Sequence, residues 1–141
     1  MDMEALAAEL EEDEGLRLKP YRDSVGKTTI GVGRNLDDVG ISSGEARMLL
    51  LTDMTRVCGD LDGALPWWRG LNDDRQRVLA NMAFNMGIQG LLGFRWTLSL
   101  IQQGRYEDAA HAMLMSKWAG QVGDRAQRLA ARMRGQDGPM A

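Results

Sequence analysis

Apolar residues recur at a helical period from the start of the chain. Met3, Leu6, Ala7 and Leu10 follow an i, i+3, i+4, i+7 spacing and predict an amphipathic helix over residues 3–14. Extending that stripe by four positions reaches Glu14, a carboxylate inside the apolar arc, whereas Glu9, Glu11 and Glu12 fall outside it. Gly15 then stops the helix. The character changes over residues 16–34. Pro20, three glycines and the β-favouring run Thr28, Thr29, Ile30 and Val32 predict a hairpin or three short strands, with a turn near residues 23–26. The stretch "NLDDVG", residues 35–40, reads as a loop.

Ser42 and Glu45 have the spacing of a capping box and open a helix expected to run to about Leu61. Its buried face is predicted as Ala46, Leu49, Leu50, Met54 and Val57. Asp53 falls on the same stripe, and a carboxylate there needs a cationic partner. A further helix is expected over residues 73–86, capped by Asn72, with Val78, Leu79, Met82 and Met86 facing the core and Gly87 ending it. "GIQGLLG" reads as a tight connection. Short helices follow over residues 96–103, closed by Gly104, and 106–115, and a basic helix over 124–134 is expected to be capped by Asp124. Residues 136–141 read as a frayed tail. The pattern is mostly α, with one small β element near the N-terminus.

A length of 141 residues fits one domain with a sizeable core, in one lobe or two. Ten Met and four Trp fit either an adaptable core or an apolar-lined cleft. The net charge of −3 conceals an asymmetry: residues 1–74 hold 16 acidic and 8 basic side chains, and residues 75–141 hold 4 and 9. That split suits orientation on an anionic polymer, or simply a solvated surface. Cys58 and His111 are each the sole residue of their type. A disulfide framework, a Cys-based metal site and a His triad are therefore excluded, and no metal is expected. The acidic N-terminus lacks the basic region and apolar run of a signal peptide. No stretch reaches the roughly 20 apolar residues of a membrane span. The expectation is a chain made soluble in the cytoplasm, without stable membrane association.

Glu14 combines three influences that favour the neutral carboxyl: the negative end of a helix dipole, the apolar face, and three preceding acids. A protonated carboxyl suits a general acid. Asp23, beside Arg22 and Lys27 in a polar turn, is expected to stay ionised. Two carboxyls in contrasting surroundings are what glycoside hydrolysis uses, and Thr29 is placed to hold a water for the second. The plainer alternative makes Glu14 a helix-end residue paired with an Arg, and Asp23 a turn former.

The spacing Glu-x8-Asp-x5-Thr, set in "EGLRLKPYRDSVGKTTIGVG", closely resembles the phage lysozymes of glycoside hydrolase family 24, the T-even phage type. "NMAFNMG" at 81–87, "GLLGF" at 90–94, "SKW" at 116–118 and "DRAQR" at 124–128 extend the resemblance over nearly the whole chain. It implies a two-lobed α+β lysozyme-like fold with a small N-terminal sheet and a helical C-terminal lobe. One domain would cover 1–141: a β-containing lobe at about 14–60, a helical lobe from about 1–13 and 61–135, and the tail 136–141. The implied activity is cleavage of the β-1,4 bond between N-acetylmuramic acid and N-acetylglucosamine in peptidoglycan, with inversion. Glu14 would protonate the leaving oxygen, and Asp23 with Thr29 would activate water. Inverting carboxyls stand roughly 6.5–9.5 Å apart. No cofactor is implied, and the expected partner is the glycan strand, met by a monomer. An endolysin role implies release to the wall through a holin-type lesion.

Other residues follow from the same resemblance. Arg125 matches an Arg that pairs with the catalytic Glu, or is a helix-surface residue. Phe84 and Thr97 match sugar-contacting positions, and Phe84 fits a core position equally well. Asn85 is polar just beyond it and fits a sugar contact or a surface site. Departures are also visible. The family often reads Gly-x-Gly-His where this chain reads "GVGR". Arg34 therefore replaces a His whose usual partner matches Asp53, and an Arg34–Asp53 ion pair is expected. Segment 35–42 is short for the family. Asn35 stands where an apolar sugar contact is found, and Ala112 where a polar one is. The rival classes are a non-catalytic wall-binding module, a lytic transglycosylase, and a nucleic-acid binder built on "DRAQRLAARMRG". Overall acidity and few lysines count against nucleic acid as a partner.

Overall fold

The structure, a computed structural model, describes residues 1–135; the expected tail 136–141 lies outside the described residues. The chain forms two compact units, Met1–Leu49 and Leu50–Ala141. In the first unit, α1 (Met3–Glu14) begins with Asp2, whose side chain accepts from the Ala5 N–H. It ends at Gly15, which takes φ 76° and donates to the Glu11 carbonyl. Three antiparallel strands follow in the order β1 (Arg17–Arg22), β2 (Thr28–Gly31) and β3 (Arg34–Asn35). Tyr21 lies opposite Thr29, and Thr29 opposite Asn35. The β1–β2 register is irregular between Arg17 and Tyr21, where Pro20 has no N–H to give to the ladder.

Among residues 1–49 only Thr29 is buried, so the predicted stripe of α1 stays largely open. Met3 is 66% exposed and Leu10 44%, and Leu6 is half-buried. The capping box at the start of α2 (Ser43–Ala64) is made in both directions: Glu45 N–H donates to Ser42 Oγ at 3.1 Å, and Ser42 N–H to Glu45 Oε1 at 2.9 Å. The predicted buried face of α2 needs correction. Ala46, Leu49, Leu50 and Met54 are exposed, and burial begins at Val57 and continues at Leu61. A helix of this length extends roughly 33 Å, and only its C-terminal turns reach the core.

That core belongs to the second unit. A 3-10 turn (Pro66–Gly70) buries Trp68, whose indole N–H is satisfied by Asp62 at 2.7 Å. Helix α3 (Asp73–Leu92) is capped by Asn72, which accepts from the Arg75 N–H. Val78, Leu79 and Met82 form its buried face as predicted, with Met86 packed at the edge of the core. Gly87, at φ 79°, kinks α3 rather than ending it, and the helix resumes to Leu92. Helices α4 (Arg95–Gln102) and α5 (Tyr106–Leu114) match the expected positions. Helix α6 (Lys117–Val122), capped by Ser116, was not foreseen. Helix α7 (Asp124–Arg134) is capped by Gly123, at φ 58°, and Asp124 sits in its first turn instead. Leu129, Ala130 and Met133 of α7 close the core against α3 and α5.

Candidate active site

In the N-terminal unit the candidate groups gather around the β1–β2 turn and the backbone of Lys27. The Lys27 N–H donates to Asp23 Oδ1 at 2.8 Å, and Val25 N–H donates to the same oxygen at 2.9 Å. The Lys27 carbonyl accepts from Asp23 N–H at 2.9 Å and from Thr29 Oγ1 at 2.9 Å. One residue's backbone thus fixes both side chains. Asp23 Oδ1 is saturated by amides and Oδ2 is left available. The Thr29 hydroxyl proton is committed, so toward any further group its oxygen can act only as an acceptor. Thr29 is only 3% exposed, and its rotamer is fixed by packing as well as by this bond.

Glu14 is the last residue of α1 and is exposed. Its carboxyl lies against Gly33 in the β2–β3 turn: a Cβ built on Gly33 would stand 2.8 Å from Glu14 Oε2. Within residues 1–49 no side chain donates a hydrogen bond to that carboxyl. The loop after β3 is braced by acids. Asp37 accepts from Thr28 N–H, and Asp38 pairs with Lys27 at 3.2 Å. The Asn35 side chain is used internally, donating to Asp38 Oδ2 and accepting from Asp38 N–H. Its amide therefore serves the loop.

The Arg34–Asp53 expectation is corrected. Arg34 forms a bidentate pair with Glu45, at 2.9 and 2.8 Å, and also donates to the Gly40 carbonyl. Asp53 finds its cation at Arg56, three residues along the same helix. The Arg34 guanidinium, helped by the Ser42 N–H, brings the Glu45 carboxyl down to about 2. The physical reason is economy of distance: the capping-box carboxylate has a second oxygen to offer, and β3 delivers Arg34 to it.

The C-terminal unit holds the remaining candidates. Phe84 is 45% exposed, which removes it from the core. It shares a depression of about 340 Å³ with Met54, Val57, Asn81 and Arg125. The Arg125 guanidinium donates to Asn81 Oδ1 at 2.9 and 2.7 Å. Asn85 Oδ1 accepts from the Trp118 indole N–H at 2.9 Å, and Trp118 stands edge-on to Phe94 with centroids 6.0 Å apart. Thr97 is buried but borders a second depression of about 320 Å³, beside Trp96, Lys117 and Trp118. Phe84 and Thr97 thus line different hollows. Sequence reasoning missed Lys27, Gly33, Asn81 and Trp118. Gly33 carried a signal as the second glycine of "GVG", and Asn81 and Trp118 lie in the quoted stretches "NMAFNMG" and "SKW", but none was given a role. Among the described residues no group of three or more His, Cys, Asp or Glu could hold a metal ion, and no helix is long and apolar enough to cross a membrane.

Comparison with known proteins bears on this geometry. The family model described as phage lysozyme matches residues 11–135. The endolysin of Salmonella phage P22 is 32% identical, over 82% of this chain and 82% of its own length. The pre-baseplate central spike protein of Enterobacteria phage T4 is 33% identical over 89% of this chain, which spans only 27% of that protein. A Dictyostelium discoideum protein named "Probable T4-type lysozyme 1" is 27% identical over 85% of this chain and 88% of its own.

Proposed function

The chain belongs to the phage lysozyme family, a family of glycoside hydrolases, and on that footing we propose that it hydrolyses the β-1,4 bond between N-acetylmuramic acid and N-acetylglucosamine in bacterial peptidoglycan, with inversion at the anomeric carbon. Glu14 is the general acid and gives its proton to the leaving glycosidic oxygen. Asp23 is the general base. A water donates one hydrogen to Asp23 Oδ2 and the other to Thr29 Oγ1, which leaves an oxygen lone pair aimed at the sugar. As the bond to the leaving oxygen breaks, the water oxygen adds to the opposite face and its proton passes to Asp23. The reaction needs two carboxyls and water only.

The observation that carries this reading is the lock at Lys27. It fixes Asp23 and Thr29 relative to one another through three hydrogen bonds and leaves one carboxylate oxygen and one hydroxyl acceptor unspent. Phe84, Asn85 and Thr97 are proposed as sugar contacts: Phe84 as an apolar surface, Asn85 through the amide N–H groups not used by Trp118, and Thr97 from the rim of its hollow. Asn35 acts through the loop it braces, and Arg125 and Arg34 support their surroundings. In the cell the protein acts on the wall as an endolysin at the end of a lytic cycle, reaching it through a holin-type lesion, and works as a monomer.

The similarity to part of a phage spike protein favours one second reading of the role, a wall-cutting domain carried on a particle. The chemistry is the same in both. The test is mass spectrometry of fragments released from purified Gram-negative peptidoglycan, with Glu14→Gln alongside. Fragments ending in reducing N-acetylmuramic acid, lost in the variant, are expected. Anhydro ends would instead indicate a transglycosylase, and binding without fragments a non-catalytic module.

A further inference from the structure

We infer that Gly33 is a positioning residue for the Glu14 carboxyl, an inference that rests on the assignment of Glu14 as the general acid. Gly33 lies between β2 and β3 with φ +66°. A Cβ at this position would stand 2.8 Å from Glu14 Oε2, 3.0 Å from its Cδ and 3.1 Å from its Cγ. Three consecutive atoms of the side chain therefore lie along the bare backbone of the turn. No side chain within residues 1–49 donates a hydrogen bond to the carboxyl. The missing side chain at position 33 is the seat on which the acid rests.

Two requirements meet at Gly33, and the fold separates them. The positive φ alone favours glycine, as it does at Gly31 two residues earlier, where φ is +69°. The difference is space: a Cβ on Gly31 meets nothing within 4 Å. Both positions have a positive φ, so an alanine at either carries backbone strain. Only at position 33 does the added methyl overlap Glu14. The overlap is with the far end of a flexible side chain, so the chain can fold by turning the carboxyl aside. Folding tolerates that movement and catalysis does not, because the proton must be delivered to a fixed oxygen. A displacement of about 1 Å at a reacting group is enough for roughly a 10²-fold loss.

The experiment compares Gly33→Ala with Gly31→Ala, with Glu14→Gln as reference. Each is measured for Tm and for kcat and KM on purified peptidoglycan. Both alanine variants are expected to lower Tm, because both place a side chain at positive φ. Gly31→Ala keeps the wild-type kcat, and Gly33→Ala loses on the order of 10²-fold in kcat with KM little changed. Equal kcat losses in the two, or a Gly33→Ala protein as active as wild type, would overturn the inference. A nuclear Overhauser effect from Gly33 Hα to Glu14 Hγ is expected in the wild-type protein, and its absence overturns the contact even if Gly33→Ala fails to fold. Full activity in Glu14→Gln would sink the acid assignment instead, while the Overhauser measurement would still report on the contact.

Discussion

Replacing Thr29 by Val separates the structural work of this residue from its chemical work. Valine keeps the branched shape that fills the buried site, where Thr29 is 3% exposed, and deletes the hydroxyl. The lost hydrogen bond runs to the Lys27 carbonyl, 2.9 Å away. That carbonyl still accepts from the Asp23 N–H, so no buried acceptor is orphaned. The stability cost should therefore sit near the low end of the range for a neutral hydrogen bond, about 0.5–1 kcal/mol. For a chain of this size that is a Tm decrease of roughly 2–4 °C. Activity should respond on a different scale. Without the hydroxyl the attacking water loses one of its two acceptors, and kcat should fall on the order of 10²-fold. Thr29→Ser restores the oxygen and should recover most of the rate. The assays are differential scanning calorimetry and initial rates on purified peptidoglycan. A Thr29→Val protein as fast as wild type would refute the water-holding role. A Tm loss several times larger than stated would make Thr29 a packing residue first.

Met82→Ala tests the core of the C-terminal unit. Met82 is 1% exposed on α3, so the truncation should cost about 2–5 kcal/mol, read as a lower urea midpoint with the proposed catalytic groups of the N-terminal unit unaltered. The Arg34–Glu45 pair sets a pH dependence. Glu45 is depressed from 4.5 to about 2 in the folded chain. A carboxyl lowered on folding stabilises above its unfolded value, and this contribution fades as pH falls through the folded value. Acid unfolding measured from pH 5 to pH 2 should therefore be shallower in Glu45→Gln than in wild type, and superimposable curves would contradict the pairing.

Much of this arrangement was legible before any coordinates because local chemistry dictated it. The capping box at Ser42 and Glu45, the Asn72 cap and the apolar period of α3 all act within a few residues, and each appears as expected. The β-leaning run after Gly15 did form three strands. The misreadings have separate physical causes. The resemblance pointed Arg34 to Asp53, but the Glu45 carboxylate serves both its cap and Arg34. Gly87 has the torsion of a helix stop, yet packing of Leu91 carries the helix on to Leu92. Helix α6 is too short to show a period, and its Ser116 cap lies inside a segment that was read as a motif. The apolar positions of α1 and of the first half of α2 have the right period but remain exposed, because period reports which residues share a face and not whether that face is covered. At the candidate site, Glu14, Asp23 and Thr29 were proposed from the family resemblance of their spacing, and the backbone of Lys27 that binds two of them together has no signature in sequence.

The anomeric configuration of the first product tests the proposed mechanism most directly. Proton NMR of a soluble peptidoglycan fragment, followed within seconds of mixing with enzyme, resolves the anomer released before mutarotation. Water delivered by Asp23 and Thr29 to the face opposite the leaving group predicts that N-acetylmuramic acid appears first as the α-anomer. Initial appearance of the β-anomer would mean retention, and Asp23 would then have to be a nucleophile or a bystander.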